Sequence, residues 1–393
     1  MKQRLAYLDN LKILLVVGVI AVHSAVTYGF DGTWYLESYD EMARGVVDAL
    51  TVVIVIGWLF GLGLFFLIAG RLSGPSLDRK GPARFARERL IRLGAPVLAY
   101  TLLVSPALEY FDYRENEGGR SGFWSFFGDQ IWHLGPGPTW FLEALLAFSV
   151  GYALLRTLRP PTRAPSRAPL RDRDVAGIVV AIAVSSFAGH LAFPIGSEQF
   201  HLQLGMFPQY LILFSLGAAA GRRGWLETLR PELQRRCGLA AAITALAMPA
   251  ILVAGDFFEG GAAEDRFAGG WHWQAGAASL TEGVLATCVS LWAIGYFRHR
   301  HNRLRPLARR MAPAAYGAFI VHPPVIVGLA LAIQRVPVPA ELKFVCVLAG
   351  GVAGSFWLAA LAARVGPIAR IIGAGPHAAA EVPSPVRSLK ASP

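Results

Sequence analysis

Ten apolar segments, each about twenty residues long, follow one another along the chain and limit what it can fold into. An α-helix needs roughly 20 apolar residues to cross a bilayer, so each segment is long enough to span a membrane. The chain is 54% hydrophobic and only 16% charged, whereas about a quarter of a soluble domain is charged. The sequence therefore predicts an all-α, polytopic membrane protein with helices near 11–30, 46–70, 90–108, 138–156, 174–194, 206–221, 237–255, 278–297, 313–334 and 340–363.

Lysine and arginine are distributed unevenly between the two sets of loops that ten alternating helices create. With the N-terminus in the cytoplasm, 30 of the 37 fall in cytoplasmic segments and five in outer segments, and Lys12 and Lys343 lie at helix edges. This positive-inside pattern predicts that both termini are cytoplasmic. The outer loops are acidic, so the net charge of +11 is explained by insertion into the lipid bilayer and gives no reason to expect nucleic acid.

Little of the sequence is left for other units. We expect one transmembrane domain over 1–375, a disordered cytoplasmic tail over 376–393 and an extended, Pro/Arg-rich linker at 159–174. The first apolar run continues to about Tyr28, longer than a usual signal-peptide core, so we interpret it as an uncleaved first helix. The three cysteines are far apart and no metal-ligand spacing is visible, so we expect neither a disulfide framework nor a bound metal.

The first apolar segment carries ionisable side chains on one face. Lys12 and His23 are eleven residues apart, within about 20° of each other on a helix, and Asp9 lies on a similar side. His23 is then about 16 Å beyond Lys12, deep in the membrane, where ionisable residues normally face a protein interior or an aqueous cavity. A histidine can accept a proton near neutral pH. His23 is therefore a candidate general base, with a hydrogen-bonded packing role as the alternative.

The same segment resembles the start of acyltransferase family 3, a family of integral membrane proteins. The first helix of that family carries a basic residue, ten intervening residues and a histidine, which correspond to Lys12 and His23. A second likeness is "FFLIAG" (65–70), which resembles the family segment FF-x-x-SG. The chain departs from the pattern at Ala69, where the family usually has a serine.

Further motifs extend the resemblance along nearly the whole chain. An Arg-x-x-Arg motif, Arg89 and Arg92, lies within "RKGPARFARERLIRLGAPVL" (79–98). Three later segments resemble most closely the branch that contains the glucan biosynthesis protein C succinyltransferases: "TWFLEALL", "FHLQLGMFPQYLILFSLG" and "AYGAFIVHPPVIV". Each motif alone is common, and their combination in this order is specific.

The resemblance implies a multi-pass O-acyltransferase of the bacterial inner membrane. Such an enzyme takes an acyl group, acetyl or succinyl, from cytoplasmic acyl-CoA and transfers it to a hydroxyl of an extracytoplasmic glycan. His23 would remove the hydroxyl proton, and Arg89 and Arg92 would bind donor phosphates, although arginines there also serve as topology signals. Lys12 would either bind a CoA phosphate or tune the protonation of His23, with Asp9 as its ion-pair partner.

Three other side chains are candidates for substrate contact. Glu143 follows Trp140 near the start of the fourth helix, where it would orient the acceptor or His23, or else face the outer water. His322 lies in the ninth helix directly before two prolines, which free backbone carbonyls and bend a helix. We interpret His322 either as part of the site or as local structure.

Four outer-loop aromatic residues are expected to lie at the membrane interface, where an aromatic belt is the usual arrangement and stacking on sugar rings is the alternative: Trp34, Tyr35, Trp271 and Trp273. Two other functions would also fit ten helices with buried polar groups. One is a transporter or flippase without covalent chemistry, and the other is a sensor or scaffold in which His23 only packs. Release of free CoA in the presence of a glycan would distinguish the enzyme from both.

Overall fold

The computed structural model describes residues 5–371, apart from 31–33, 37, 39–40, 116–117, 132, 160–168 and 227. These residues are mostly helical, and within them the β-structure consists of one isolated bridge between Gln199 and Leu202. The predicted tail and the centre of the predicted linker lie outside the described residues. Ten helices are long and apolar enough to cross a membrane: α1 Ala6–Val26, α2 Arg44–Lys80, α3 Pro82–Arg114, α4 Gly137–Leu158, α5 Asp172–Ala192, α6 Leu204–Arg223, α7 Pro231–Ala254, α8 Trp273–Arg300, α9 Pro306–Ile333 and α10 Ala340–Ala362. The predicted all-α fold with ten spans is confirmed.

The third helix continues through Pro96, a residue type that commonly breaks or kinks a helix. Two five-residue π-helical stretches, Leu90–Gly94 and Tyr100–Val104, flank this part of α3 and keep the helix continuous. Proline has no N–H to offer to the carbonyl four residues earlier, that of Arg92. The Tyr316 hydroxyl of α9 donates to that carbonyl oxygen over 2.8 Å. The missing backbone bond is thus replaced by a side chain from another helix.

Contacts between helix ends define the two ends of the bundle. At one end Asp78 binds both Arg156, at 2.7 Å, and Arg222, at 2.9 Å. At the other end the backbone N–H of Ala43 donates to the Glu341 carboxylate over 2.8 Å. We call these the basic end and the acidic end, because the predicted cytoplasmic loops meet at the first and the predicted outer loops at the second. The cytoplasmic placement of the basic end remains a prediction.

Helix α1 packs against α2, α8, α9 and α10. Helix α8, the most enclosed of the ten, packs against α5, α7 and α2 as well. Two apolar cores fill the space between the helices, and α1, α2 and α6 contribute to both of them. Helix α1 keeps one exposed side, where Leu14 is 53% exposed, whereas His23 is half-buried. A protein interior is the environment that an ionisable group at membrane depth normally faces.

Helices α2 and α6 approach each other closely through glycines. A Cβ atom at Gly70 would collide with the Phe214 carbonyl oxygen, and one at Gly217 would collide with the Leu67 carbonyl oxygen. Small residues allow such contact between membrane helices, where packing drives association. The glycine of "FFLIAG" therefore holds α2 against α6, which fixes the helix on which Ser73 stands.

Candidate active site

His23 of α1 and His322 of α9 form a hydrogen-bonded pair in the interior of the bundle. The His23 Nδ1 and His322 Nε2 atoms are 2.9 Å apart, and the two ring planes are inclined by only 19°. His322 is fully buried, whereas His23 is half-buried and keeps some accessible surface. The two residues were predicted separately, one as a base and the other as a substrate contact, and the structure brings them together.

The backbone before Pro323 determines how protons are arranged in this pair. Because proline lacks an N–H, the Phe319 carbonyl four residues earlier has no helical donor. The His322 Nδ1 atom lies 2.6 Å from that oxygen. A carbonyl oxygen only accepts, so His322 Nδ1 carries hydrogen and its Nε2 is an acceptor in the neutral ring. His23 Nδ1–H must then donate to His322, which leaves the lone pair on His23 Nε2 available to accept a proton.

Trp34, from the segment between α1 and α2, covers His23. The two rings are stacked, with centroids 4.3 Å apart and planes 11° apart. Trp34 is only 7% exposed, and its Nε1 has no hydrogen-bond partner among the described residues. The predicted interfacial position was therefore wrong for Trp34, because the chain after α1 folds back, with Ser38 N–H donating to the Thr27 carbonyl over 2.8 Å. Trp271, by contrast, is 83% exposed.

Next to Trp34, polar side chains continue toward the acidic end. The hydroxyls of Tyr35 and Tyr100 lie 3.3 Å apart. Ser105 Oγ lies 2.7 Å from a Glu109 carboxyl oxygen and 2.8 Å from the Gly135 carbonyl oxygen. Burial raises the pKa of the Tyr35 phenol above its ordinary value. Tyr35 therefore stays neutral and can both donate and accept hydrogen bonds.

A glycine-containing loop before α4 makes room for these side chains. Gly137 has a φ of +46°, and a Cβ atom there would occupy the place of the Tyr35 hydroxyl. A Cβ atom on Gly135 would lie 3.0 Å from Nδ1 of His201. The "GPGP" sequence thus admits two polar side chains from other parts of the chain.

His201 stands on a strained turn near two carboxyl groups. Phe200 and His201 have φ values of +54° and +61°, a conformation that is uncommon without glycine and recurs at functional sites. The His201 imidazole interacts electrostatically with the carboxyl groups of both Glu109 and Glu143. We call Tyr35, Tyr100, Glu109, Glu143 and His201 the acidic-end cluster.

The predicted substrate contacts Glu143 and Trp140 lie at this end of α4. Glu143 is half-buried and belongs to the acidic-end cluster rather than to the histidine pair. The Trp140 ring is tilted against that of Tyr210, with centroids 6.4 Å apart. In the described contacts, neither Glu143 nor Trp140 touches His23.

The predicted donor-binding arginines lie on α3, toward the basic end. Arg89 Nη2 donates to Ser73 Oγ over 3.0 Å, and its guanidinium carbon lies 5.1 Å from the centre of the Phe85 ring. The Arg92 guanidinium carbon lies 5.9 Å from the centre of the Tyr316 ring. Neither arginine forms an ion pair with a carboxylate of the described residues. The guanidinium groups are therefore held in place by neutral side chains, which leaves their charge for an anion.

Lys12 and Asp9 pair with each other one helical turn apart. The Lys12 Nζ and Asp9 Oδ1 atoms are 3.5 Å apart, and both side chains are partly accessible at the basic end. Eleven residues of helix place Lys12 about 16 Å from His23. The predicted ion pair is present, and the two residues lie between the histidine pair and the basic end.

A comparison with known protein families matches residues 5–363 to the acyltransferase family 3 model, described as an acyltransferase domain. The chain belongs to acyltransferase family 3. No match was found among curated proteins or among solved structures. The matched range covers all ten helices and every residue of the candidate site. The protein is thus a multi-pass membrane acyltransferase.

In this acyltransferase a serine hydroxyl lies one helical turn beyond Ala69. Ser73 Oγ donates to the Ala69 carbonyl over 2.7 Å and accepts the hydrogen bond from Arg89. Residues four apart share a helix face, so Ser73 presents its hydroxyl on the same side of α2 as position 69.

No group of three or more metal-ligating side chains occurs within the described residues.

Proposed function

We propose that this acyltransferase moves an acetyl or succinyl group from cytoplasmic acyl-CoA to a hydroxyl of an extracytoplasmic glycan. The observation that carries the proposal is the hydrogen bond between His23 and His322, which leaves His23 Nε2 as a proton acceptor. The resemblance to the glucan succinyltransferase branch favours a periplasmic glucan as the acceptor and succinyl as the acyl group.

The reaction needs one base that later acts as an acid. His23 Nε2 removes the proton of the acceptor hydroxyl while the oxygen attacks the thioester carbonyl carbon. A tetrahedral intermediate forms, the carbon–sulfur bond breaks, and the protonated imidazole returns its proton to the CoA sulfur. The products are an ester and free CoA. His322 keeps the His23 ring oriented throughout, because its Nε2 accepts from His23 Nδ1–H in both protonation states of His23.

The donor approaches from the basic end. Arg89 and Arg92 meet the phosphates of acyl-CoA, for which a planar guanidinium offers paired N–H donors. Ser73, Phe85 and Tyr316 support these arginines without neutralising them. Lys12 adds a further cation on the donor side, and Asp9 holds its ammonium group. The thioester then extends along α1 toward His23.

The acceptor approaches from the acidic end. The acidic-end cluster offers neutral phenols, two carboxyls and an imidazole, which suit the many hydroxyls of a sugar. Trp34 carries a buried indole N–H without an acceptor among the described residues, and it stacks on the proposed base. Trp140 and Glu143 complete the approach on α4. A sugar hydroxyl led past these side chains reaches His23 Nε2.

The proposed reaction is tested with purified protein in lipid nanodiscs. Acetyl-CoA or succinyl-CoA is added with candidate glycans, and free thiol and acylated product are measured. We expect release of CoA that depends on the glycan. His23→Ala should lower turnover by about 10²- to 10⁴-fold while donor affinity stays within about twofold of the wild type. His272→Ala, which changes an exposed histidine, serves as the control. If the protein moved glycan across the membrane of liposomes and released no CoA, the enzyme proposal would be wrong and the flippase alternative would be supported.

The proposed orientation is tested separately in intact cells. A cysteine at Glu198 of the acidic end should react with an impermeant thiol reagent, and one at Asn302 of the basic end should react only after the membrane is opened. Both changes are made in a Cys346→Ser background, because Cys346 is the exposed one of the three native cysteines. The reverse labelling pattern would place the donor side outside the cell and overturn the proposed direction.

A further inference from the structure

A cavity of about 680 Å³ opens at the basic end, where α8 ends and α9 begins. It is separate from the histidine pair and from Arg89 and Arg92. Its lining consists of seven polar or cationic residues and one alanine: Asn10, His299, Arg300, His301, Asn302, Arg303, Arg305 and Ala308. Six of the eight come from "RHRHNRLR" (298–305), a basic segment between α8 and α9 that also fits the positive-inside pattern.

The loop that lines this cavity is fastened to α1. Asn10 Nδ2 donates to the His301 carbonyl over 2.7 Å and to the Arg303 carbonyl over 3.0 Å. Asn10 lies directly after Asp9 and two residues before Lys12 on the same helix. The two hydrogen bonds therefore hold the backbone of the loop in one position beside the helix that carries His23.

The arginines of this loop differ from many others at the basic end in their partners. Four arginines there are each bound to a carboxylate: Arg84, Arg156, Arg222 and Arg236. Arg300, Arg303 and Arg305 form no ion pair with a carboxylate of any described residue. Arginines that only determine membrane topology need not line a cavity. Cations that line a cavity and have no carboxylate partners are suited to bind an anionic ligand.

The chemistry of the lining indicates which anion would fit. Guanidinium groups match phosphate oxygens with paired N–H donors, and imidazole and amide groups add further hydrogen bonds. Arg305 lies directly before α9 and is eleven residues, or about 16 Å, from Tyr316 of α9, which supports Arg92 on α3. The cavity and the Arg89–Arg92 pair thus lie at different distances from His322.

We propose that this cavity is a second phosphate-binding site, which takes a phosphate-ester group of a ligand at the basic end. For the identity of the ligand the proposal rests on the proposed function: the nucleotide end of acyl-CoA, with its 3′-phosphate, occupies the cavity. Asn10 is thirteen residues from His23, about 20 Å along α1. The long arm of CoA between nucleotide and thioester suits this separation, whereas a phospholipid offers the same phosphate chemistry without such an arm.

The test compares a triple variant, Arg300→Gln with Arg303→Gln and Arg305→Gln, with a control double variant, Arg309→Gln with Arg310→Gln. The control removes exposed cations from the start of α9 that do not line the cavity. Binding of CoA and of 3′-dephospho-CoA is measured in phosphatidylcholine nanodiscs. Thermal stability is measured with and without added phosphatidylglycerol. Equal thermal stability of both variants in phosphatidylcholine establishes that they are folded.

We expect the triple variant to bind CoA at least about tenfold more weakly than the wild type, with the control unchanged. The wild type should also prefer CoA over 3′-dephospho-CoA, and the triple variant should lose that preference. If CoA binding is unchanged but stabilisation by phosphatidylglycerol disappears, the site binds phosphate from a lipid. If both readouts match the wild type, the proposal is overturned. If the wild type binds no CoA, the donor of the proposed function fails, and the lipid measurement still decides whether the cavity binds phosphate.

Discussion

His23 and His322 lie 299 residues apart in the sequence, and their ring nitrogens are joined across 2.9 Å. This contact connects the first helix to the ninth. A neutral histidine can carry its hydrogen on either Nδ1 or Nε2. The hydrogen bond to His322 selects the tautomer of His23 with hydrogen on Nδ1. The orientation of the proposed base therefore depends on α9 as much as on α1.

The first prediction concerns His322 as a positioning residue. His322→Phe removes the acceptor for His23 Nδ1–H, so we expect kcat to fall by about 10²-fold or more, with the affinity for acyl-CoA unchanged. His322→Gln should recover part of the loss, because its amide oxygen can accept the same hydrogen bond. Steady-state kinetics and donor binding measure both effects. If His322→Phe and His322→Gln were equally active, the hydrogen bond from His23 Nδ1–H to residue 322 would have no role in catalysis.

The second prediction separates two adjacent prolines. Pro323→Ala supplies an N–H that competes with His322 for the Phe319 carbonyl, so kcat should fall and the pH–rate profile should change. Pro324→Ala restores only the bond to Ile320 and should leave the profile as in the wild type. Thermal unfolding should show neither variant to be less stable, since a helical hydrogen bond is gained in each. Identical profiles for the two variants would contradict the role of Pro323.

The third prediction tests how Arg89 is held. Ser73→Ala removes the hydroxyl that accepts from Arg89 Nη2, so we expect donor affinity to fall by about two- to tenfold. Ser185→Ala is the control, because Ser185 bonds only to the backbone of its own helix. Calorimetric titration with CoA measures the difference. A loss of affinity in the control as large as in Ser73→Ala would show that the effect is general.

The fourth prediction addresses the acidic-end cluster. Glu109→Gln and His201→Ala should each raise KM for the glycan by about fivefold or more and leave KM for acyl-CoA unchanged, because both residues lie on the side from which we propose that the acceptor approaches. His272→Ala, in an exposed position at the same end, should change neither constant. If only KM for acyl-CoA changed, the acidic-end cluster would contact the donor and not the glycan, which contradicts the proposal.

The fifth prediction is about stability and uses two glycines of α2. Gly70→Ala forces a Cβ atom against the Phe214 carbonyl and should destabilise the protein by about 1–3 kcal/mol. Gly57 has no neighbouring heavy atom where its Cβ would lie, so Gly57→Ala should stabilise α2 by about 0.5–1 kcal/mol. Unfolding in detergent, followed by circular dichroism, measures both. The same sign for both variants would refute the packing argument.

Local sequence was sufficient for the helices and for the first member of the histidine pair. Apolar length alone gave all ten spans, because the bilayer imposes one minimum length on every helix. The depth of His23 followed from counting residues along α1. The likeness to the family then indicated Arg89 and Arg92, which the structure holds beside Ser73 and Tyr316.

Contacts between distant segments could not be read in the same way. Nothing in the sequence states that His322 faces His23, because the rotation of each helix is set by packing against its neighbours. Trp34 was expected at the membrane interface, and only the fold of the segment after α1 places it on His23. Glu109 and His201 have no local signal except the glycines of "GPGP", whose small size becomes meaningful once the side chains beside them are known.

The pairing of α1 with α9 also bears on how the protein is made. Helix α1 packs against α2, which follows it directly, but its other partners α8, α9 and α10 are synthesised much later than α1. The contact between His23 and His322 can therefore form only after α9 has been made. The candidate site is thus assembled late, once helices far apart in the sequence have been inserted.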